Sequence, residues 1–409
     1  MRKRIQEVAH CFSAELPMNL TSKKNRIGKP VCPSALLAAA LAFCLPRPSA
    51  RAEDSIAYTF ENYREEDGRI TVQTQSSSVD QDVGAYGHLS LTGTIDAVAG
   101  ATPTGRPAPE GSDQVEMTEI SSRRKAWSGD VSEQVKNFNI DAGFAESRES
   151  DYVSFGWSVN TLTDFNEKNT TLRVGVAGTD DRVEVLFEPA YLPKHTNSVI
   201  VGVTQVLDPL TFVSINVTLG SADGYLAEPY KIVEKSIELL PGVSLQEAFS
   251  ENSPNERNSE SVYASMNRAV PKLGGAVEAS YRLYSDSYGI VAHTFAVSWQ
   301  QHLGSRFMLE PLARYYLQSA ARFYYYNLDN TSIVPTRIPT GEGPYYTSDF
   351  RLSAEDDYTL GLKVTWKVAD RVQLVASLER YVMNGRDGVT SASAYPKAEI
   401  SSLGVRYTW

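Results

Sequence analysis

From Ser55 onward, apolar side chains recur at every second position, in runs of strand length rather than at helical spacing. Val277, Ala279, Tyr281 and Leu283 alternate with Glu278, Ser280, Arg282 and Tyr284. Phe295, Val297 and Trp299 alternate with Thr294, Ala296, Ser298 and Gln300. Tyr358, Leu360, Leu362, Val364 and Trp366 alternate with Thr359, Gly361, Lys363 and Thr365. Successive side chains of a strand point to opposite faces, so each run has one apolar and one polar side. No run reaches the ~18 consecutive apolar residues of a membrane-spanning helix. Low average hydropathy does not exclude a membrane barrel, because lipid-facing and lumen-facing residues cancel.

Sixteen such segments are expected, near 55–64, 69–80, 85–98, 118–130, 134–147, 151–164, 169–180, 197–207, 210–220, 259–270, 275–285, 289–301, 305–318, 356–367, 371–383 and 398–409. Their connections separate by length. Every second one is a short turn, as at Asp82, Ser132-Glu133, Asn166–Lys168, Asp208-Pro209, Pro271–Gly274, His302–Gly304 and Ala369-Asp370. The intervening set contains all the long ones: 99–117, 181–196, 221–258, 319–355 and 384–397. This is the pattern of an all-β, transmembrane, up-and-down antiparallel barrel with short periplasmic turns and long extracellular loops. The 221–258 loop carries so many apolar residues that it should fold over or into the lumen.

The beginning of the chain reads as an export signal. Lys23, Lys24, Arg26 and Lys29 precede an apolar run, Val31–Leu45, which Pro46 and Pro48 end. Ala50-Arg51-Ala52 offers small residues where a signal peptidase reads, placing cleavage after Ala52 and leaving 53–409 as the barrel. Met18 is an alternative start. All three cysteines, Cys11, Cys32 and Cys44, fall in this leader, so no thiol chemistry is expected of the mature chain. Removing the leader's nine basic and two acidic side chains from the chain's 39 and 49 leaves a balance of −17. Such a surface repels a polyanion, and nucleic acid is not an expected partner.

The final segment puts Leu403, Val405, Tyr407 and Trp409 on one face, with Gly404 and Arg406 on the other, and stops on an aromatic residue. It reads as the strand by which barrel-assembly machinery identifies its clients. Trp127, Trp157, Trp299, Trp366 and Trp409 are candidates for interfacial girdles.

Glu65–Ile70, Asp96–Gly105, Gly224–Lys231, Tyr281–Tyr284, Tyr315–Tyr324 and Ser348–Ser353 together resemble an uncharacterised bacterial outer-membrane family catalogued only as a domain of unknown function. The resemblance implies a barrel in the outer membrane of a Gram-negative bacterium, from a family whose genes often neighbour those of periplasmic redox proteins; a scaffold barrel would serve such a redox protein or a lipoprotein. It carries over no catalytic residues.

Little else points to chemistry. His88, His195, His293 and His302 are scattered, without the close spacing of a zinc site, and no cofactor is expected. His293 shares its face with Phe295 and Val297, leaving a lipid hydrolase as a third reading after a channel and a scaffold. By parity, Asp141, Arg173, Glu278, Arg282, Glu310, Arg314, Lys363, Glu379 and Arg406 are candidates for a polar lumen of mixed charge. The expected function is a channel or uptake pore for small solutes; the alternative is a loop-plugged scaffold or binding barrel.

Overall fold

The computed structural model describes residues 54–185 and 190–409. The leader, with Ala50 and Ala52, lies outside the described residues.

Sixteen antiparallel strands close into one barrel. The first nine are β1 (Ser55–Glu65), β2 (Thr71–Val83), β3 (Gly87–Pro103), β4 (Met117–Val135), β5 (Phe138–Arg148), β6 (Tyr152–Phe165), β7 (Thr170–Glu184), β8 (Tyr191–Asp208) and β9 (Thr211–Gly224). A separate hairpin, β10 (Ile232–Leu240) and β11 (Val243–Ser250), follows. The barrel resumes with β12 (Glu256–Val270), β13 (Gly275–Asp286), β14 (Val291–Leu303), β15 (Phe307–Gln318), β16 (Glu355–Ala369), β17 (Val372–Gly385) and β18 (Lys397–Thr408). Each strand pairs with its sequence neighbour, β9 pairs with β12 across the hairpin, and β18 pairs with β1. Closure leaves no strand edge without a hydrogen-bonding partner, which is what a sheet in hydrocarbon requires.

Each expected strand is present. At one end, every turn between barrel strands is two to four residues long, and Trp409 N donates to Asp54 O at 3.1 Å there. The long connections gather at the other end, called the outer end below. The expected 181–196 loop is a correction: β7 runs to Glu184 and β8 begins at Tyr191. Both strands continue past the apolar zone, where the outward face turns polar (Arg182, His195, Asn197) and alternation loses its contrast while the hydrogen-bonded ladder goes on.

Register fixes which residues share a face. Leu362 stands between Pro311 and Leu378, and Val405 between Tyr58 and Leu374. Leu362, Leu378, Leu403, Val405 and Tyr407 are all exposed, as are Phe295, Val297, Val199, Val201 and Val217 on other strands. This apolar outside is bordered toward the short-turn end by stacked Phe307–Trp366 and Tyr407–Trp409 pairs. No helix among the described residues is long and apolar enough to cross a membrane.

Candidate functional site: the inner wall and the cap over it

One residue away from each outward side chain is an inward one. Gly361, Lys363 and Thr365 line the interior beside outward Leu362 and Val364. Cross-strand pairing sets Glu310, Lys363, Ser377, Ser402, Glu61, Thr74, Asp96 and Arg124 in one continuous row from β15 round to β4. Lys363 Nζ lies 3.2 Å from Glu310, Ser377 and Ser402 hydroxyls are 2.7 Å apart, and Arg124 lies 2.5 Å from Asp96. Thr74 Oγ1 donates to Asp96 at 2.7 Å. In the next row outward, Glu278 and Glu379 flank Lys363 within electrostatic reach. A second group lies across the barrel. Arg173 donates to Asn160 at 3.1 Å and Asn160 donates to Asp141 at 3.3 Å. Asn160 and Asn216 lie flat on the wall because Gly175 and Gly202 have no Cβ to collide with their carboxamides. Arg282 sits over the Tyr263 ring at 5.8 Å. Arg314 lies 3.7 Å from Asp357, Arg406 stands opposite Ala57 at the open end, and Gly404 stands opposite Thr59. The candidate lumen residues thus fall in two groups on opposite arcs.

Accessibility changes along the axis. Arg406 and Glu61 are open to solvent, whereas inward residues of the outer half are buried: Val72, Val98, Ile120, Asp96, Asp181, Ala292, Gln318, Glu355, Asp357 and Ala398. The loops cover them. Residues 104–116, 225–255, 319–354 and 386–396 pack against one another over the outer mouth. Val233, Leu328 and Tyr346 are fully buried where the 225–255 and 319–354 segments meet.

The loops are joined by buried polar contacts, which specify geometry more sharply than apolar packing does. Asn252, almost wholly buried, uses all of its carboxamide: it donates to Glu342 O and Pro344 O at 2.7 and 3.0 Å and accepts from Thr340 N and Gly341 N. Arg351 holds Asp349 at 2.5 Å and Glu228 at 2.9 Å, joining the 225–255 and 319–354 loops. Glu251 accepts from Glu228 N and, at 2.5 Å, from the Thr347 hydroxyl. Lys231 Nζ donates to Pro103 O at the end of β3 and lies 5.2 Å from the Phe350 ring. Arg69 Nη1 and Nη2 donate to the Ser393 and Ala394 carbonyls at 2.6 and 3.2 Å, tying the 386–396 loop to the wall.

Burial governs the charges in this latch. It pushes Glu251 up to about 8, Asp349 adding to the effect, and brings Lys231 down to about 8. Burial raises Glu228 as well. Burial alone would raise Asp349, but Arg351 outweighs it and holds that carboxyl below its ordinary value.

None of Glu228, Lys231, Glu251, Asn252, Asp349 or Arg351 was a candidate from sequence. Four of them lie in Gly224–Lys231 and Ser348–Ser353, two stretches that carry the family resemblance. Asp96–Gly105 and Glu65–Ile70, two more, supply the Pro103 carbonyl and Arg69. That convergence is the signal that could have found the latch. The expectation that 221–258 folds over the lumen corresponds to what is seen, with the hairpin β10–β11 as its body. Among the described residues no three potential metal ligands group together. His88 pairs with Asp82 at 3.0 Å, His195 with Asp180 at 2.7 Å, and His293 with the Tyr281 hydroxyl at 2.9 Å on the outward face.

A family model described as "Protein of unknown function (DUF3570)" matches residues 33–407. Comparison with curated proteins gives no match. Among solved structures, a bacterial polysaccharide outer membrane secretin aligns at 10% identity and a TM-score of 0.46, over 88% of this chain and 100% of that one. OccK8 (OprE) of Pseudomonas aeruginosa aligns at 6% identity and 0.40, over 87% and 98%. The siderophore receptor PirA of Pseudomonas aeruginosa aligns at 13% identity and 0.39, over 88% of this chain but only 63% of that receptor's length.

Proposed function

The chain belongs to the DUF3570 family, whose description assigns no activity, and from its geometry we propose a channel of the Gram-negative outer membrane for small polar solutes, closed at rest by its own loops. One observation carries this reading: a polar inner wall, open to solvent at Glu61 and Arg406, runs beneath a cap made of four loops rather than of a separate domain. A barrel serving only as a membrane anchor has no need of charged rows and wall glycines along its interior. Permeation then requires the 225–255 and 319–354 loops to part, against the contacts that Arg351, Asn252 and Glu251 make between them. The protein's surroundings are outer-membrane lipid and the barrel-assembly machinery, and it acts without catalysis.

The cap also favours a second reading, a permanently plugged scaffold for a periplasmic redox protein or lipoprotein. Conductance in planar bilayers separates the two. The intact barrel is expected to be silent or to flicker, and excision of Ile232–Ser250 to give long-lived openings. A variant that inserts, lacks the hairpin and still passes no current would establish the plugged scaffold and end the channel reading.

A further inference from the structure

The outward face of β4, β5 and β7 near the outer end carries an arrangement that costs stability on its own. Lys125 stands directly opposite Arg148, and like charges so placed repel. Arg148 is opposite Val153, and Val153 is opposite Arg182. Arg123 is the next same-face residue of β4, followed by Ser121 and Glu119. All four cations are exposed. Arg148 is neutralised by Glu146 at 2.5 Å, while Arg123, Lys125 and Arg182 have no ion-pair partner among the described residues. The same level of the adjoining wall is acidic, with Asp180, Asp223 and Glu256 in register around His195.

Immediately below the cations the wall becomes aromatic, then aliphatic. Trp127 donates through Nε1 to Glu146 at 2.8 Å and meets the edge of Phe144 at 5.3 Å. Phe144 stands opposite Trp157. Val131, Ile140, Val159 and Val174 continue the exposed face toward the short-turn end. Cations above aromatics above aliphatics is the order in which a bilayer presents phosphate, glycerol or sugar, and acyl chains. From Lys125 on β4 to Arg182 on β7 is three strand spacings, about 14 Å. A single phosphate is too small to engage that span.

We propose that this patch docks the headgroup of an outer-leaflet glycolipid bearing two phosphates, its acyl chains lying along Phe144, Trp157 and Val159. The inference rests on the membrane-facing reading of the wall. Its test uses the full barrel in detergent micelles, titrated with bis-phosphorylated lipid A and read by native mass spectrometry. Replacing Arg123 and Lys125 together by Gln is expected to weaken binding about thirty-fold, and adding Arg182→Gln to weaken it further. Asp223→Asn with Glu256→Gln is expected to leave binding unchanged. Unaltered affinity of the Arg123/Lys125 double variant overturns the proposal, as does equally tight binding of dephosphorylated lipid A or of phosphatidylglycerol. Because these substitutions remove like-charge repulsion, the variants should fold; heat-modifiable mobility checks this. A chain that fails to enter bilayers at all would instead count against the membrane reading.

Discussion

Arg351 is one of the residues that hold the cap closed, and its loss strands two carboxylates, Glu228 and Asp349, that are almost wholly buried. Its own guanidinium is partly open to water, so Arg351→Leu should cost about 2 to 3 kcal/mol of loop docking, less than for a fully enclosed pair. Limited proteolysis should then cut within 225–255 and 319–354 while the barrel core keeps its resistance. Glu251 makes the same cap sensitive to pH. Its carboxyl is raised from an ordinary 4.5 to about 8 in the closed form. A raised acid stabilises closure fully below 4.5, and that contribution is lost as pH climbs toward 8. Glu251→Gln stays neutral and should flatten the dependence between these limits, followed by amide hydrogen exchange in β10 and β11. Persistence of the full slope in that variant would assign it to another group. On the wall, Leu362→Arg places a charge at the centre of β16 and should cost about 2 to 4 kcal/mol, as read from the unfolding midpoint in lipid. Lys363→Thr, one residue on, removes only the partner of Glu310 and should cost about 1 kcal/mol or less.

Strands were legible because burial in two different media writes a period-two signal that turns cannot imitate. Their ends were less so. β4 extends to Val135 and β8 starts at Tyr191, beyond the alternation, because a ladder of backbone hydrogen bonds continues wherever two strands lie side by side, whatever the side chains do. The β10–β11 hairpin was read only as an apolar loop, although Pro241-Gly242 between its two arms is a turn signal. The pairings within the latch were not readable: the resemblance marked its segments, but Glu228 and Arg351 are 123 positions apart, and nothing local in either segment announces the other. The last strand invites its own test. Deleting Tyr407–Trp409 removes the stacked pair and the pairing of Tyr407 with Ile56 and of Thr408 with Ser55. The expected outcome is loss of the heat-modifiable form and accumulation before membrane insertion; Arg406→Gln, on the inner face, should assemble normally.

For the molecule as a whole, two ends of different character define an orientation. Single cysteines at Glu110, Val243 and Val389, all exposed in long loops, should react with an impermeant maleimide on intact cells. One at Asp370, in a short turn, should react only after the outer membrane is permeabilised. Labelling confined to Asp370 would reverse the orientation. The hydrogen bond between Trp409 and Asp54 has a different consequence. Apart from the one missing peptide link there, the wall is a ring and has no first strand. A circular permutant that joins 409 to 54 through a short linker and opens at Gly111 would keep every rung of that ring. It would, however, bury its aromatic ending in mid-chain. Geometry and address would then be carried by different parts of the molecule: such a permutant should refold in detergent as readily as the parent, yet go undelivered in a living cell.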